Sequence, residues 1–101
     1  MSLDLDSQVT GSRARVAVRG DVDMATAPDL RRALDAIVDD GATVIVIDCR
    51  ELTFLDSSGI SALLAVRSRL GDDGVLALEA PPPNVRKVLE VTGVDAALEI
   101  R

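Results

Sequence analysis

Four consecutive residues, Asp56-Ser57-Ser58-Gly59, bring together a carboxylate, two hydroxyls and a glycine. They follow a connection over residues 49–56 and open a helical pattern that runs from about Ser58 to Leu70. The first turn of a helix has unpaired N–H groups and a partial positive charge, so it tolerates a phosphate. A serine held there is exposed and can become a phosphoester. The same residue types are also ordinary N-caps, and the pattern alone leaves both readings open. Gly59 adds one clue. A first-turn glycine costs about 1 kcal/mol relative to alanine, which calls for a reason such as close approach of a partner or another backbone.

Other chemistry-bearing groups are sparse. Gly20-Asp21-Val22-Asp23 places two carboxylates after a strand end. No further ligands are spaced to make them a metal site, so they read as a solvated turn or as acids lining the same surface as Asp56. A phosphate added there would bring about −1.5 to −2 more charge to a negative patch. Asp48 ends an apolar strand, where aspartyl phospho-acceptors keep their reactive residue. The companion acids, hydroxyl and lysine are not at matching positions, and Lys87 is the single lysine. Cys49 reads as a buried, inert thiol. Gly71-Asp72-Asp73-Gly74 is too acidic for a phosphate cradle. With no histidine in the chain, Ser57 has no imidazole base, which excludes a Ser-His-Asp hydrolase.

The elements that must position these groups follow from periodicity. Leu3, Leu5 and Val9 are spaced as a first strand. Residues 13–19 alternate as a second strand ending at Gly20, with Gly11-Ser12 as the turn between them. Thr26 reads as the N-cap of a first helix with Pro28 in its opening turn. Leu30, Ala33, Leu34, Ile37 and Val38 form its apolar face, and Gly41 ends it. The run 43–48 is continuous and β-branched, as in a strand covered on both faces. In the second helix, Ile60, Leu63, Leu64, Val66 and Leu70 point mostly inward. Residues 75–78 form another buried strand. After Pro81-Pro82-Pro83, Asn84 reads as the cap of a third helix with Val85, Val88 and Leu89 inward, closed by Gly93. Residues 96–100 can form a short last element. The order β-β-α-β-α-β-α implies an α/β fold, a mixed sheet with helices packed against it and right-handed crossovers.

Composition sets the wider bounds. The 101 residues make one domain, 1–101, with 48% hydrophobic residues and a single aromatic, Phe54, so Leu, Val, Ile and Ala must build the core. The net charge of −6 repels nucleic-acid phosphates and anionic lipid, which sets aside nucleic acid and membrane as primary partners. One cysteine permits no internal disulfide. The first residues, Met1-Ser2-Leu3-Asp4-Leu5-Asp6, lack the basic and apolar regions of a signal peptide, and no apolar run is long enough to span a bilayer. Cytoplasmic is therefore the expected location.

Four segments together resemble the STAS domains, and within them the stand-alone anti-sigma factor antagonists of bacteria. They are Gly20-Asp21-Val22-Asp23, Val46-Ile47-Asp48 with Leu52-Thr53-Phe54-Leu55, Asp56-Ser57-Ser58-Gly59, and Val85-Arg86-Lys87-Val88-Leu89 through Gly93. The resemblance spans essentially the whole chain. It implies a non-enzymatic protein without cofactor or metal, which binds an anti-sigma factor that is also a serine kinase and so frees a sigma factor. Phosphorylation ends the binding and a phosphatase resets it. It implies Ser57 as the acceptor, with Ser58 the neighbouring second choice, and a switch surface of Asp21, Asp23, Asp56, Ser57, Ser58 and Gly59. The alternative within the same fold is a STAS regulatory subunit of an ABC-type transport system.

Overall fold

The computed structural model describes residues 3–101; Met1 and Ser2, which belong to the stretch read for a leader, lie outside the described residues. The strands are β1 (Asp4–Thr10), β2 (Arg13–Val22), β3 (Val44–Asp48), β4 (Leu52–Leu55), β5 (Val75–Glu79) and β6 (Glu99–Ile100). The helices are α1 (Ala27–Asp39), α2 (Ser57–Leu70) and α3 (Pro83–Thr92), with a 3-10 turn at Val94–Ala96. The sheet order is β1-β2-β3-β5-β6, and β4 pairs with β2. Only the β1–β2 ladder is antiparallel; the other pairs are parallel.

Alternation in β2 decides which face is which. Ala14, Val16 and Val18 are buried, while Arg13 and Arg15, which alternate with them, are exposed. The buried set joins Ile45, Ile47, Leu76 and Leu78 of β3 and β5. Leu30 and Leu34 of α1, Leu63 and Val66 of α2, and Leu89 of α3 complete this one core. It contains no aromatic residue, because the single one, Phe54, is exposed. An apolar core of this kind stabilises by roughly 25 cal/mol per Å² removed from water.

β3 is covered on both faces, as its sequence suggests, but only one of the two covers is a layer of helices. Val46 and Ala77 are buried, yet they lie outside the core cluster, on the sheet face opposite the helices. Arg15 explains how Val46 is hidden. It stands in register with Val46, and its guanidinium binds Glu79 on β5, so its aliphatic stem crosses β3. A β-branched run therefore marked a strand shielded on one side by long ionic side chains.

Four expectations change. The connection 49–56 contains β4, whose inward residues Leu52 and Leu55 are three apart and give no period-two signal. The second strand does not end at Gly20 but continues to Val22, through a register shift between Gly20 and Asp21 where Gly20 has φ +106°. Asn84 does not cap α3. Pro82 holds the cap position, and the Asn84 amide donates to the Thr53 carbonyl at 3.0 Å, tying α3 to β4. In α2, Leu64 is exposed rather than inward.

Asp48 is buried where β3 ends, and it has ample compensation. Its carboxylate accepts from Arg50 Nη2 at 2.7 Å, Arg50 Nε at 3.0 Å and the Arg50 amide at 3.1 Å, with Arg15 at 3.6 Å. The Arg50 hydrogen bond outweighs desolvation and lowers its pKa to about 2. The unfolded value is near 3.9, so this stabilisation is complete above about pH 4 and is lost as pH falls toward 2. Because Arg50 is largely exposed, the effect is on the order of 1 kcal/mol. Asp48→Asn should flatten the acid limb of a urea-midpoint-against-pH curve over that window, and an unchanged limb would refute the assignment. An Asp48 paired in this way is a structural residue. Beside it, burial first and the Asp48 charge second push the Cys49 thiol up to about 12, which makes it inert.

Candidate functional site

The site is built where two parallel strands end together. β3, its following turn and β4 form one broken line along β2. Ala17 pairs with Asp48, the Gly20 amide donates to Glu51 O at 3.1 Å, and Val22 pairs with Leu55. The Asp56 amide donates to the Val22 carbonyl at 3.2 Å, which joins the last residues of the two strands. Asp23 and Asp56 therefore leave neighbouring strand ends, and each leads into the N-terminal turn of a helix. The structure thus brings the Gly20–Asp23 and Asp56–Gly59 segments together.

Each acid serves its own turn. Asp23 Oδ1 accepts from the Ala25 and Thr26 amides at 3.0 and 3.1 Å. Thr26 holds the cap position of α1, but its hydroxyl does not bond the helix amides. It donates to the Asp21 carbonyl at 2.7 Å and accepts from the Asp23 amide at 3.0 Å. The Asp23 and Thr26 side chains thus bond each other's amides reciprocally, in the manner of a capping box. Asp21 is not a free acid on the turn. It belongs to β2 and accepts a hydrogen bond from the Thr53 hydroxyl.

Asp56 is the N-cap of α2, in extended backbone conformation. Its Oδ1 accepts from the Ser58 amide at 2.9 Å, more loosely from the Gly59 amide at 3.4 Å, and from the Ser58 hydroxyl. The Ser58 hydroxyl first, then the two amides, hold the carboxyl below its usual range despite desolvation. Asp56→Ala removes all three acceptor roles and should destabilise the fold by about 1–2 kcal/mol in urea titration. A loss under about 0.3 kcal/mol would mean the cap is dispensable.

The two serines are therefore unequal. Ser58 is half-buried and its proton is committed to Asp56. Ser57 is the first residue of α2, is exposed, and its hydroxyl has no hydrogen-bond partner among the described residues. A phosphoryl donor can reach Ser57 without breaking the cap. Gly59 also finds its reason, in two core side chains rather than in a backbone or a partner. A Cβ there would lie 2.5 Å from Leu55 Cδ1 and 2.6 Å from Val22 Cγ1. The missing side chain lets α2 start against the ends of both strands.

Sequence reasoning passed over two apolar residues at this end. Phe54 pairs in register with Asp21 and is 46% exposed; Met24, just after Asp23, is 81% exposed. The available signal was that the single aromatic falls two residues before the motif. On α2, Ser57, Ser61 and Leu64 add an uncharged exposed stripe. The surface around Ser57 combines apolar contacts with acids that are already bonded, which suits a protein partner. Among the described residues, no helix is long and apolar enough to cross a membrane.

Comparison with known proteins defines the class first. The family model described as Mlab, STAS domain matches residues 5–100, and the chain belongs to the STAS domain family. Among curated proteins it is similar to the anti-sigma-F factor antagonist RsfB of Mycobacterium tuberculosis, 28% identical over 86% of this chain and 71% of that one. Among solved structures it resembles an anti-sigma factor antagonist from Mycobacterium paratuberculosis, with TM-score 0.89, 31% identity and 98% and 85% of the two chains covered. It also resembles the Bacillus cell fate determinant SpoIIAA in its phosphorylated form, with TM-score 0.73, 25% identity and 99% and 91% coverage. The α/β architecture expected from the sequence is thus that of the family, with β4 as an addition to the expected order and β6 within the short last element expected over residues 96–100.

Proposed function

We propose that this chain is an anti-sigma factor antagonist whose binding is switched by phosphorylation of Ser57. The unphosphorylated form binds an anti-sigma factor with serine kinase activity and so releases a sigma factor. The phosphorylated form lets go, and a phosphatase restores it. One observation carries the reading: Ser57 is an exposed, unbonded hydroxyl at the start of α2, while its neighbour Ser58 is committed to the Asp56 cap. The relatives named for antagonism of sigma-factor inhibitors support the partner class. Related SpoIIAA has been solved in both a phosphorylated and an unphosphorylated form, which supports phosphate as the signal.

The electrostatics fit release. A phosphate at Ser57 adds a dianion beside Asp56 and near Asp23, in a contact that must exclude water. The helix N-terminus stabilises that phosphate in the free chain, so modification does not unfold the domain. No ATP site is required here, because the partner holds the nucleotide. The chain acts as substrate and ligand, and catalysis lies in the partner.

The test is site mapping. The cognate kinase with ATP should place phosphate on Ser57, read by fragmentation mass spectrometry, and Ser57→Ala should take up none. Equal labelling of Ser57→Ala, or phosphate found on Ser58, would overturn the assignment. Acid-labile label would point instead to an acyl phosphate. Co-purification with permease and ATPase subunits in place of a kinase would favour the transport reading.

A further inference from the structure

The sheet face opposite the helices ends at β1, whose outer edge pairs with nothing among the described residues. All seven residues of β1 are exposed except Leu5, which is half-buried. On this face the other charged side chains near β1 are paired: Arg19 with Asp4 and Glu51, and Arg15 with Glu79. Asp6 and Arg13 stand on the same face without an ion-pair partner among the described residues. Val9, on the other side of β1, is 54% exposed.

We infer that the β1 edge pairs antiparallel with β1 of a second copy of this chain, centred on Ser7. In that register Asp4 faces Thr10, Leu5 faces Val9, and Asp6 faces Gln8, so no like charges meet. Sliding the pair by two residues toward the N-terminus would set Asp6 against Asp6, which destabilises that alternative. The exposed Val9 would gain Leu5 of the second copy as a neighbour. The lone charges would gain partners as well. Arg13 stands in register with Thr10, which would face Asp4 of the second copy, and Asp6 of that copy would lie two residues along. Arg15 already makes the same reach within the chain. It crosses one strand, from beside Val46, to bind Glu79, the register partner of Asp48 two residues on. Two-fold symmetry would make the Asp6–Arg13 pair twice. The acids of β1 also discourage strands that lack a matching cation, which gives the edge selectivity.

A seven-residue strand pair is small beside the roughly 1,600 Å² of a standard stable interface, so the dimer should be weak, with Kd on the order of 10–100 µM. Sedimentation velocity of the full chain across that concentration range should show a monomer giving way to a dimer. Asp6→Arg and Arg13→Asp should each raise Kd about tenfold or more, and the double exchange should restore it. Both side chains are exposed and unpaired, so circular dichroism should confirm an unchanged fold in every variant. A chain that stays monomeric throughout would overturn the inference, as would single variants that associate like the parent or a double exchange that does not recover.

Discussion

Ser57→Asp is expected to weaken binding to the anti-sigma partner by about tenfold or more, a loss of at least about 1.4 kcal/mol, while the urea midpoint of the domain stays unchanged. The asymmetry has a structural cause. Residue 57 is the first position of α2, where negative charge is compatible with the helix dipole, so the free domain tolerates it. In the complex the same charge would be desolvated beside Asp56, whose carboxylate is held ionised by the Ser58 hydroxyl and the helix amides. Burying a charge without a cation costs more than a surface contact returns. Ser57→Ala should bind like the parent and remain bound in the presence of kinase and ATP. Calorimetry that finds Ser57→Asp and Ser57→Ala equally tight would sink the charge mechanism.

Gly59→Val should carry the largest stability cost in this region, about 3 kcal/mol. Helix propensity works the other way, since replacing glycine in a helix gains up to about 1 kcal/mol. Packing wins because the first added carbon already lies 2.5 and 2.6 Å from Leu55 and Val22, and both neighbours are buried. Neither can swing out without opening the core beneath the strand ends. Relief must come from tilting α2 away, which would also shift Asp56 and Ser57 relative to the end of β2. Gly59→Ala, with one carbon, should fall between the parent and Gly59→Val. A urea midpoint for Gly59→Val equal to that of the parent would show that α2 does not depend on this close approach.

Legibility followed periodicity. β2 alternates cleanly, and α1 repeats its apolar residues at helical spacing, so both were readable from the chain. β4 was not, because its inward residues, Leu52 and Leu55, are three apart and its pairing is with an extension of β2 past a bulge at Gly20. Only the tertiary partner reveals such a strand. The cap at Asn84 misled for a related reason: two prolines start α3 without help, which leaves the asparagine amide for Thr53. Within the site, the motif was visible but the division of labour was not. Ser57 and Ser58 are identical as letters, and the Asp56 hydrogen bonds tell them apart. Asp21 and Asp23 read as a pair of similar acids, yet one belongs to the sheet and the other caps the turn before α1. Phe54 followed no pattern, because its exposure depends on where β4 lies.

The most direct measurement is a calorimetric titration of the kinase-type partner with this chain before and after stoichiometric phosphorylation. Tight binding before, and at least about tenfold weaker binding after, is the predicted result, with the weakening abolished in Ser57→Ala exposed to the same kinase and ATP. Equal affinity of the phosphorylated and unphosphorylated chains would contradict the reading of Asp56-Ser57-Ser58-Gly59 as a switch and leave it a helix cap alone.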